Sequence, residues 1–267
     1  MIRDITIGQY YPADSILHRL DPRVKFVGTM VYIVSLFIFS SWVGYAAAAL
    51  FLAAMILVSK VPFKFMVKGL KPVMMLLLIT MFFNLIFTPG EVICSFWILK
   101  ITKEGIRMSL KMGVRLVFLI IGASIMTLTT TPNQLTDGLE RLMRPLNRIH
   151  VPVHEIAMMM SIALRFIPIL LEETDKIMKA QMARGADFES GGLIQKVKNM
   201  VPLLVPLFVS AFRRANDLAM AMEARCYHGG DGRTQMKPLV YAGRDYAAYL
   251  VLLGYLAVSI VFRVVGI

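Results

Sequence analysis

The sequence predicts an all-α integral membrane protein of about five transmembrane helices, with three amphipathic helices set before the last span. Three observations predict it. The composition is 57% hydrophobic and only 17% charged, against about 25% charged in an ordinary soluble domain, and mean hydropathy is +0.67. Apolar runs of membrane-crossing length recur between residues 24 and 131 and return at 246–265. Between those regions, residues 132–235 alternate apolar and charged patches at helical spacing.

Charge and cysteine usage narrow the class. A formal net charge of +12 in a membrane chain points to basic loops facing an anionic leaflet. Nucleic acid is not an expected partner, because no basic stripe is interleaved with aromatics. Two cysteines, Cys94 and Cys226, are too few for a disulfide framework. Residues 1–23 contain no apolar core, so no cleaved signal peptide is expected.

The first span follows LDPRVKF: Asp21 can cap, Pro22 suits the first helical position, and Arg23 and Lys25 are expected at headgroup level. A single helix from Val24 to Val61 would run ~55 Å, far beyond a ~30 Å hydrocarbon core. Ser40, Ser41 and Trp42 therefore break it into a hairpin with spans near 24–41 and 43–59. A third span runs from about Pro72 to Thr88 and ends at Pro89-Gly90; its Asn84 is expected to bond a neighbouring helix. Residues 91–104 read as an exposed hairpin or loop. A fourth span covers 105–131, with Arg107, Lys111 and Arg115 on one face of its first turns and Arg115 snorkelling to the interface.

Basic residues cluster before the first span (Arg3, Arg19, Arg23, Lys25) and between the second and third (Lys60, Lys64, Lys68, Lys71). The N-terminus and the segment after Thr131 are therefore expected in the cytoplasm, with the C-terminus outside. Lys111 and Arg115 run against this orientation. On this topology Cys94 and Cys226 lie on opposite sides, and no disulfide joins them.

Within 132–235, Leu135, Leu139, Leu142 and Leu146 mark one amphipathic helix. A second runs from Pro152 through Arg184 and a third from about Leu193 through Arg225, each with an apolar front and a mixed-charge back. Pro168, Pro202 and Pro206 are expected to bend them. Both helices finish alike: Arg184 and Arg225 lie 41 positions apart, each after an alanine. Superimposing them sets Ala183 on Ala224 and Asp175 on Asn216.

Two accounts fit these arginines. A cation in the last turn is favoured by the helix dipole, worth ~0.3–1 kcal/mol, with Gly185 as the cap and Gly229-Gly230 serving less directly at the other end. Alternatively, each guanidinium projects beyond its helix into a groove on a partner, where its planar fork meets carboxylates or carbonyls.

Enzyme chemistry is not expected. The sequence has no P-loop pattern, and His154-Glu155 lacks the second histidine of H-E-x-x-H. His150 and His154 straddle Pro152 at a helix start, and Glu172, Glu173 and Asp175 read as a solvated or partner-facing surface. Met158, Met159 and Met160 are either ordinary packing or an adaptable greasy surface. A self-sufficient transporter or channel is the alternative reading, but Asn84 and Arg115 are its only candidate intramembrane polar groups and no inverted repeat is visible.

The segments GQYYPADSILHRLDPRVK, TPNQLTDGLERLMRPLNRIHVPVHEIAMMMSIALRFIP and AQMARGADF together resemble the transmembrane T component of energy-coupling factor transporters, the EcfT or CbiQ-like family. The resemblance covers nearly the whole chain. It implies a scaffold in a prokaryotic cell membrane that joins two ABC-type ATPase subunits to a small membrane subunit capturing a vitamin or metal ion. ATP and magnesium would sit on the ATPases, with no cofactor on this chain. It also implies that Ala183-Arg184-Gly185 and Ala224-Arg225-Cys226 dock into the ATPases, with Cys226 in place of the more usual glycine. The apolar fronts (Met158, Met159, Met160, Leu203, Leu204, Leu207 and Phe208) are the expected contact for the capture subunit. On this reading residues 1–131 hold the N-terminal segment and four spans, 132–240 the coupling helices, and 241–267 the last span.

Overall fold

The computed structural model describes residues 10–39, 41–96, 99–188, 192–229, 236 and 238–264. Of the positions named above, Arg3, Ser40, residues 97–98, Gly230 and Val265 lie outside them. The chain forms two compact units, one made of Thr6–Gly138 with Leu239–Ile267, the other containing Leu139–Pro238.

The first unit begins its helices where the capping residues stand. Asp21 accepts the Arg23 N–H at 2.8 Å and α1 runs Pro22–Ile38 with proline in its first turn. The Ser41 hydroxyl accepts the Gly44 N–H at 3.3 Å, opening α2 at Trp42–Ser59. The third stretch starts earlier than expected. It comprises α3 (Phe63–Lys68), a 3₁₀ turn (Lys71–Val73) and α4 (Met74–Phe87). Pro72, having no N–H to give the carbonyl four residues back, sits in the tightened turn. Strands β1 (Val92–Phe96) and β2 (Leu99–Thr102) pair antiparallel, so the hairpin alternative holds for 91–104. Helix α5 spans Lys103–Thr129, capped by the Thr102 hydroxyl; α6 spans Pro132–Met143 and α9 spans Gly243–Val264.

The core of this unit lies between α1, α2, α5 and α9, around Tyr32, Leu36, Ala48, Leu52, Ile125 and Tyr255. Gly122 is required there: a Cβ on it would fall 2.6 Å from the Tyr32 ring. The hydroxyls of Ser35 and Tyr255 meet at 2.6 Å and tie α1 to α9.

The starts of α1 and α9 and the end of α5 come together at one end of the unit. Buried Asp245 accepts the N–H of Asp21 at 2.9 Å and of Ala242 at 2.8 Å. Arg23 pairs with Asp21 at 2.7 Å and lies 3.7 Å over the Tyr241 ring. Lys25 donates to the carbonyls of Thr129 at 2.8 Å and His18 at 3.2 Å. Thr129 ends α5, where a cation suits both the unbonded carbonyls and the dipole. Lys25 is thus buried and Arg23 half-buried, both held by protein groups at this end of the unit. Burial alone would raise the Asp21 carboxyl, but the Arg23 side-chain and backbone hydrogen bonds outweigh it and hold that carboxyl below its usual value.

The second unit contains a 3₁₀ turn at Arg144–Ile149, α7 (Val153–Ala183) and α8 (Leu193–Ala224). Both long helices continue through their internal prolines. His154 Nδ1 meets Glu140 at 2.9 Å at the start of α7. Among the described residues five stretches are long and apolar enough to cross a membrane: Trp42–Ser59, Phe63–Phe87, Lys103–Thr129, Val153–Ala183 and Gly243–Val264. Their number matches expectation but their membership does not. The sequence reading places three amphipathic helices and no span in 132–235. In α7, however, the charges gather in the second half and leave the first half apolar. Helix α1, at 17 residues, sits at the short limit for a span.

Candidate functional site

Arg184 and Arg225 occupy equivalent positions in two helix ends of one design. Arg184 is the C-cap of α7 (φ −89°, ψ 6°) and Arg225 the C-cap of α8 (φ −94°, ψ 12°). The residue after each turns left-handed, Gly185 at φ 89° and Cys226 at φ 56°. At the first end the Gly185 N–H donates to Met182 O and the Ala186 N–H to Gln181 O, both at 3.0 Å. At the second, the Cys226 N–H donates to Glu223 O at 2.8 Å and the Tyr227 N–H to Met222 O at 3.0 Å. These are two Schellman motifs in the same register. The expected breaker Gly229-Gly230 is therefore not the cap of α8. Cys226 takes that position, accepting a left-handed backbone that costs an L-residue about 1–2 kcal/mol.

Ala183, Arg184, Gly185, Ala224, Arg225 and Cys226 are all exposed. Among the described residues neither guanidinium has a hydrogen-bond or ion-pair partner. The thiol of Cys226 is free. No Cβ contact would be met within 4 Å of Gly185, so among the described residues the first tip has open space beside its cap.

The two helices are clasped between the tips. Arg214 Nη2 donates to Glu173 Oε2 at 2.8 Å, and these residues are themselves 41 positions apart, each eleven before its arginine. Further along α7, Gln181 Nε2 donates to Pro202 O at 3.3 Å. Pro206 has no N–H for that carbonyl, so the side chain from α7 takes it. Beyond the helix end, Asn199 Nδ2 donates to Asp187 O at 2.6 Å. Advancing along α7 means retreating along α8, so the helices run antiparallel. At 1.5 Å per residue each tip lies roughly 16 Å from the clasp in opposite directions, placing the guanidinium ends roughly 33 Å apart.

The apolar front of α8 has one exposed stripe. Val201, Leu204, Val205, Phe208, Val209 and Phe212 are exposed at the i, i+3, i+4, i+7, i+8 spacing of a helix face. Of the residues expected at a capture surface, Leu204 and Phe208 belong to it, whereas Leu203 is only 6% exposed and Leu207 is half-buried. On α7, Met159 and Met160 are exposed and Met158 is half-buried. The sequence reading takes the whole run MVPLLVPLFVSAF as the apolar front but names only Leu203, Leu204, Leu207 and Phe208 from it, leaving out Val201, Val205, Val209 and Phe212. The 3.6-residue phase of the run carried that signal.

The intramembrane polar candidates serve local needs. Asn84 Nδ2 bonds the Thr80 carbonyl of its own helix at 2.8 Å, not a neighbouring helix, because an amide side chain reaches the carbonyl one turn back. Arg115 Nε donates to the Tyr45 hydroxyl at 2.9 Å, and its guanidinium lies 5.3 Å over the Phe37 ring.

Apolar spans combined with a clasped helix pair ending in two exposed cations define a multi-pass membrane protein that presents paired helix tips. Comparison with known proteins gives the family. The pattern of the cobalt transport protein family, CbiQ, matches residues 13–236. The chain is 58% identical over 266 residues to the energy-coupling factor transporter transmembrane protein EcfT of Clostridium kluyveri, covering 99% of this chain and 98% of that one. It is 48% identical to the EcfT of Bacillus subtilis (92% and 93% covered) and 45% identical to that of Lactococcus lactis (91% and 92% covered). The chain belongs to the EcfT family and is the transmembrane component of an energy-coupling factor transporter.

Proposed function

We propose that this chain couples two cytoplasmic ABC-type ATPase subunits to a substrate-capture membrane subunit, with Arg184 and Arg225 as the points of attachment. The observation that carries the reading is the duplicated tip: the same cap, the same unpartnered guanidinium, at opposite ends of one clasped pair. Two similar ATPases offer two similar sockets, and an arginine fork suits a socket of carboxylates or carbonyls. The flanking Ala183, Gly185, Ala224 and Cys226 are small enough for such a socket to close around each tip.

ATP binding and hydrolysis change the separation of the ATPases, and the tips follow. The Glu173–Arg214 clasp makes α7 and α8 move against each other about a fixed point. Their apolar fronts, chiefly the α8 stripe from Val201 to Phe212 with Met159 and Met160, shift under the capture subunit and reorient it. The N-terminus and the arginine-tipped ends of the coupling helices lie in the cytoplasm and the C-terminus outside, in keeping with the basic residues before the first span and between the second and third.

The test is co-purification. Arg184→Glu and Arg225→Glu are each expected to weaken ATPase docking by ~2–5 kcal/mol, the cost of removing a desolvated hydrogen-bonded charge from an interface, while membrane insertion persists. Wild-type recovery of both ATPases by the double variant contradicts the reading.

A further inference from the structure

In the first unit, α1, α2, α5 and α9 leave a cavity of about 370 Å³ among them, lined by Lys25 and Arg244 at the end where α1 and α9 begin. Its wall is almost wholly apolar, built from residues such as Leu17, Met55, Met126 and Val251. Five polar residues break that wall; the hydroxyls of Thr29 and Thr129 are spent on carbonyls of their own helices, which leaves Lys25, Arg244 and Tyr32. Lys25 is only 8% exposed; its ammonium touches two neutral carbonyls, and among the described residues no carboxylate pairs with it. Arg244, in the first turn of α9, is exposed and without a partner among the described residues. Tyr32, two helical turns beyond Lys25 on α1, is 3% exposed and its hydroxyl has no hydrogen bond.

We propose that this cavity binds one acyl chain of an anionic phospholipid, whose headgroup rests against Arg244 and Lys25. The size lies within the roughly 300–1,000 Å³ of ligand-holding cavities. Water does not suit it, since an ordered water needs two to four polar partners and an apolar wall stays dry. A helix from a protein partner does not fit, because one turn of a ~10 Å cylinder fills roughly 420 Å³. A lipid chain supplies the missing apolar contacts, its phosphate answers two cations that no carboxylate touches, Asp21 and Asp245 acting on Lys25 only from beyond ion-pair distance, and the chain's carbonyl end offers an acceptor to the buried Tyr32 hydroxyl. The inference does not depend on the tips of α7 and α8. It needs only that this unit sits in a bilayer.

The probe is an equimolar mixture of phosphatidylglycerol and phosphatidylcholine. The full-length chain is equilibrated with it in vesicles, extracted in mild detergent, and weighed intact by native mass spectrometry. One retained phosphatidylglycerol per chain is expected. Gly28 lines the cavity and a Cβ there meets nothing closer than 3.9 Å, so Gly28→Leu fills the space and abolishes retention. Arg244→Gln, which disturbs no internal bond, lowers the ratio of retained phosphatidylglycerol to phosphatidylcholine about fivefold, the weight of one basic residue at an anionic surface. Arg263→Gln, an exposed arginine at the other end of α9, leaves the ratio unchanged. Failure of the wild type to retain lipid overturns the proposal. So does equal retention of the two lipids, or an Arg263→Gln effect as large as that of Arg244→Gln.

Discussion

Two single substitutions at equivalent backbone positions should act with opposite sign. Gly185 and Cys226 both hold left-handed φ, 89° and 56°, and both follow a C-cap arginine. Gly185→Ala forces an L-residue into that region at a cost of about 1–2 kcal/mol, offset by about 0.4–1 kcal/mol because alanine has less unfolded freedom to lose. With nothing within 4 Å of the new Cβ, no clash adds to the sum. The end of α7 therefore loses about 0.5–1 kcal/mol. Cys226→Gly reverses the same terms, and the exposed thiol gives up little burial, so the end of α8 gains about the same. Since about 1.4 kcal/mol is tenfold at 25 °C, local opening changes about two- to fivefold in each case. Amide hydrogen exchange at Ala186 and Tyr227, the outer donors of the two caps, reads it directly. Faster exchange at Ala186 in Gly185→Ala and slower exchange at Tyr227 in Cys226→Gly are predicted. Shifts of the same sign, or no shift at either amide, refute the equivalence of the two ends.

The clasp gives a second prediction. Glu173→Arg alone sets two cations face to face and should impair coupled transport; adding Arg214→Glu restores the pair at 2.8 Å and should recover most of the loss. A double variant no better than the single one removes the clasp from the account. A third concerns His18. Its Nε2 lies 3.0 Å from the Tyr11 carbonyl, which can only accept, so Nε2 carries the proton and Nδ1 accepts from the Ser15 hydroxyl at 2.7 Å. Burial lowers the imidazole below its ordinary value, with the Lys25 charge adding to it and the Tyr11 carbonyl opposing. The unfolded chain then binds the proton first. Stability of the N-terminal segment falls as pH drops below about 6.5 and on through the lower folded value. Hydrogen exchange around Ser15–His18 should show that loss in the wild type and lose its pH dependence in His18→Asn.

Much of this was legible in the residues because capping and breaking chemistry is local. Asp21-Pro22 and Ser41 opened helices where they stood, and the starts and ends of α7 and α8 fell within a residue of the reading. The Ala-Arg tips were visible for the same reason. What stayed hidden depended on partners distant in sequence. Asp245 was unremarkable until its carboxylate met the Asp21 amide 224 positions away, and the burial of Lys25 was hidden because its acceptor, the Thr129 carbonyl, is a backbone group without a signature. Cys226 in a left-handed cap was hidden too, since glycine three residues later was the conventional stop. The Glu173–Arg214 clasp was hidden by its offset: the superposition that matched the tips also matched these two residues, but unlike charges on aligned positions look like divergence until the helices are seen to be antiparallel.

The claim that both tips enter partner subunits is tested most directly at the tips themselves. Cys226 supplies a thiol beside Arg225, and Ala183→Cys supplies one beside Arg184; maleimide labelling of each, alone and in complex with the ATPases, compares open with docked. Labelling at both positions is predicted to slow by at least roughly tenfold on assembly, as access to the thiolate is lost. Equal rates with and without the ATPases, at either tip, contradict the account.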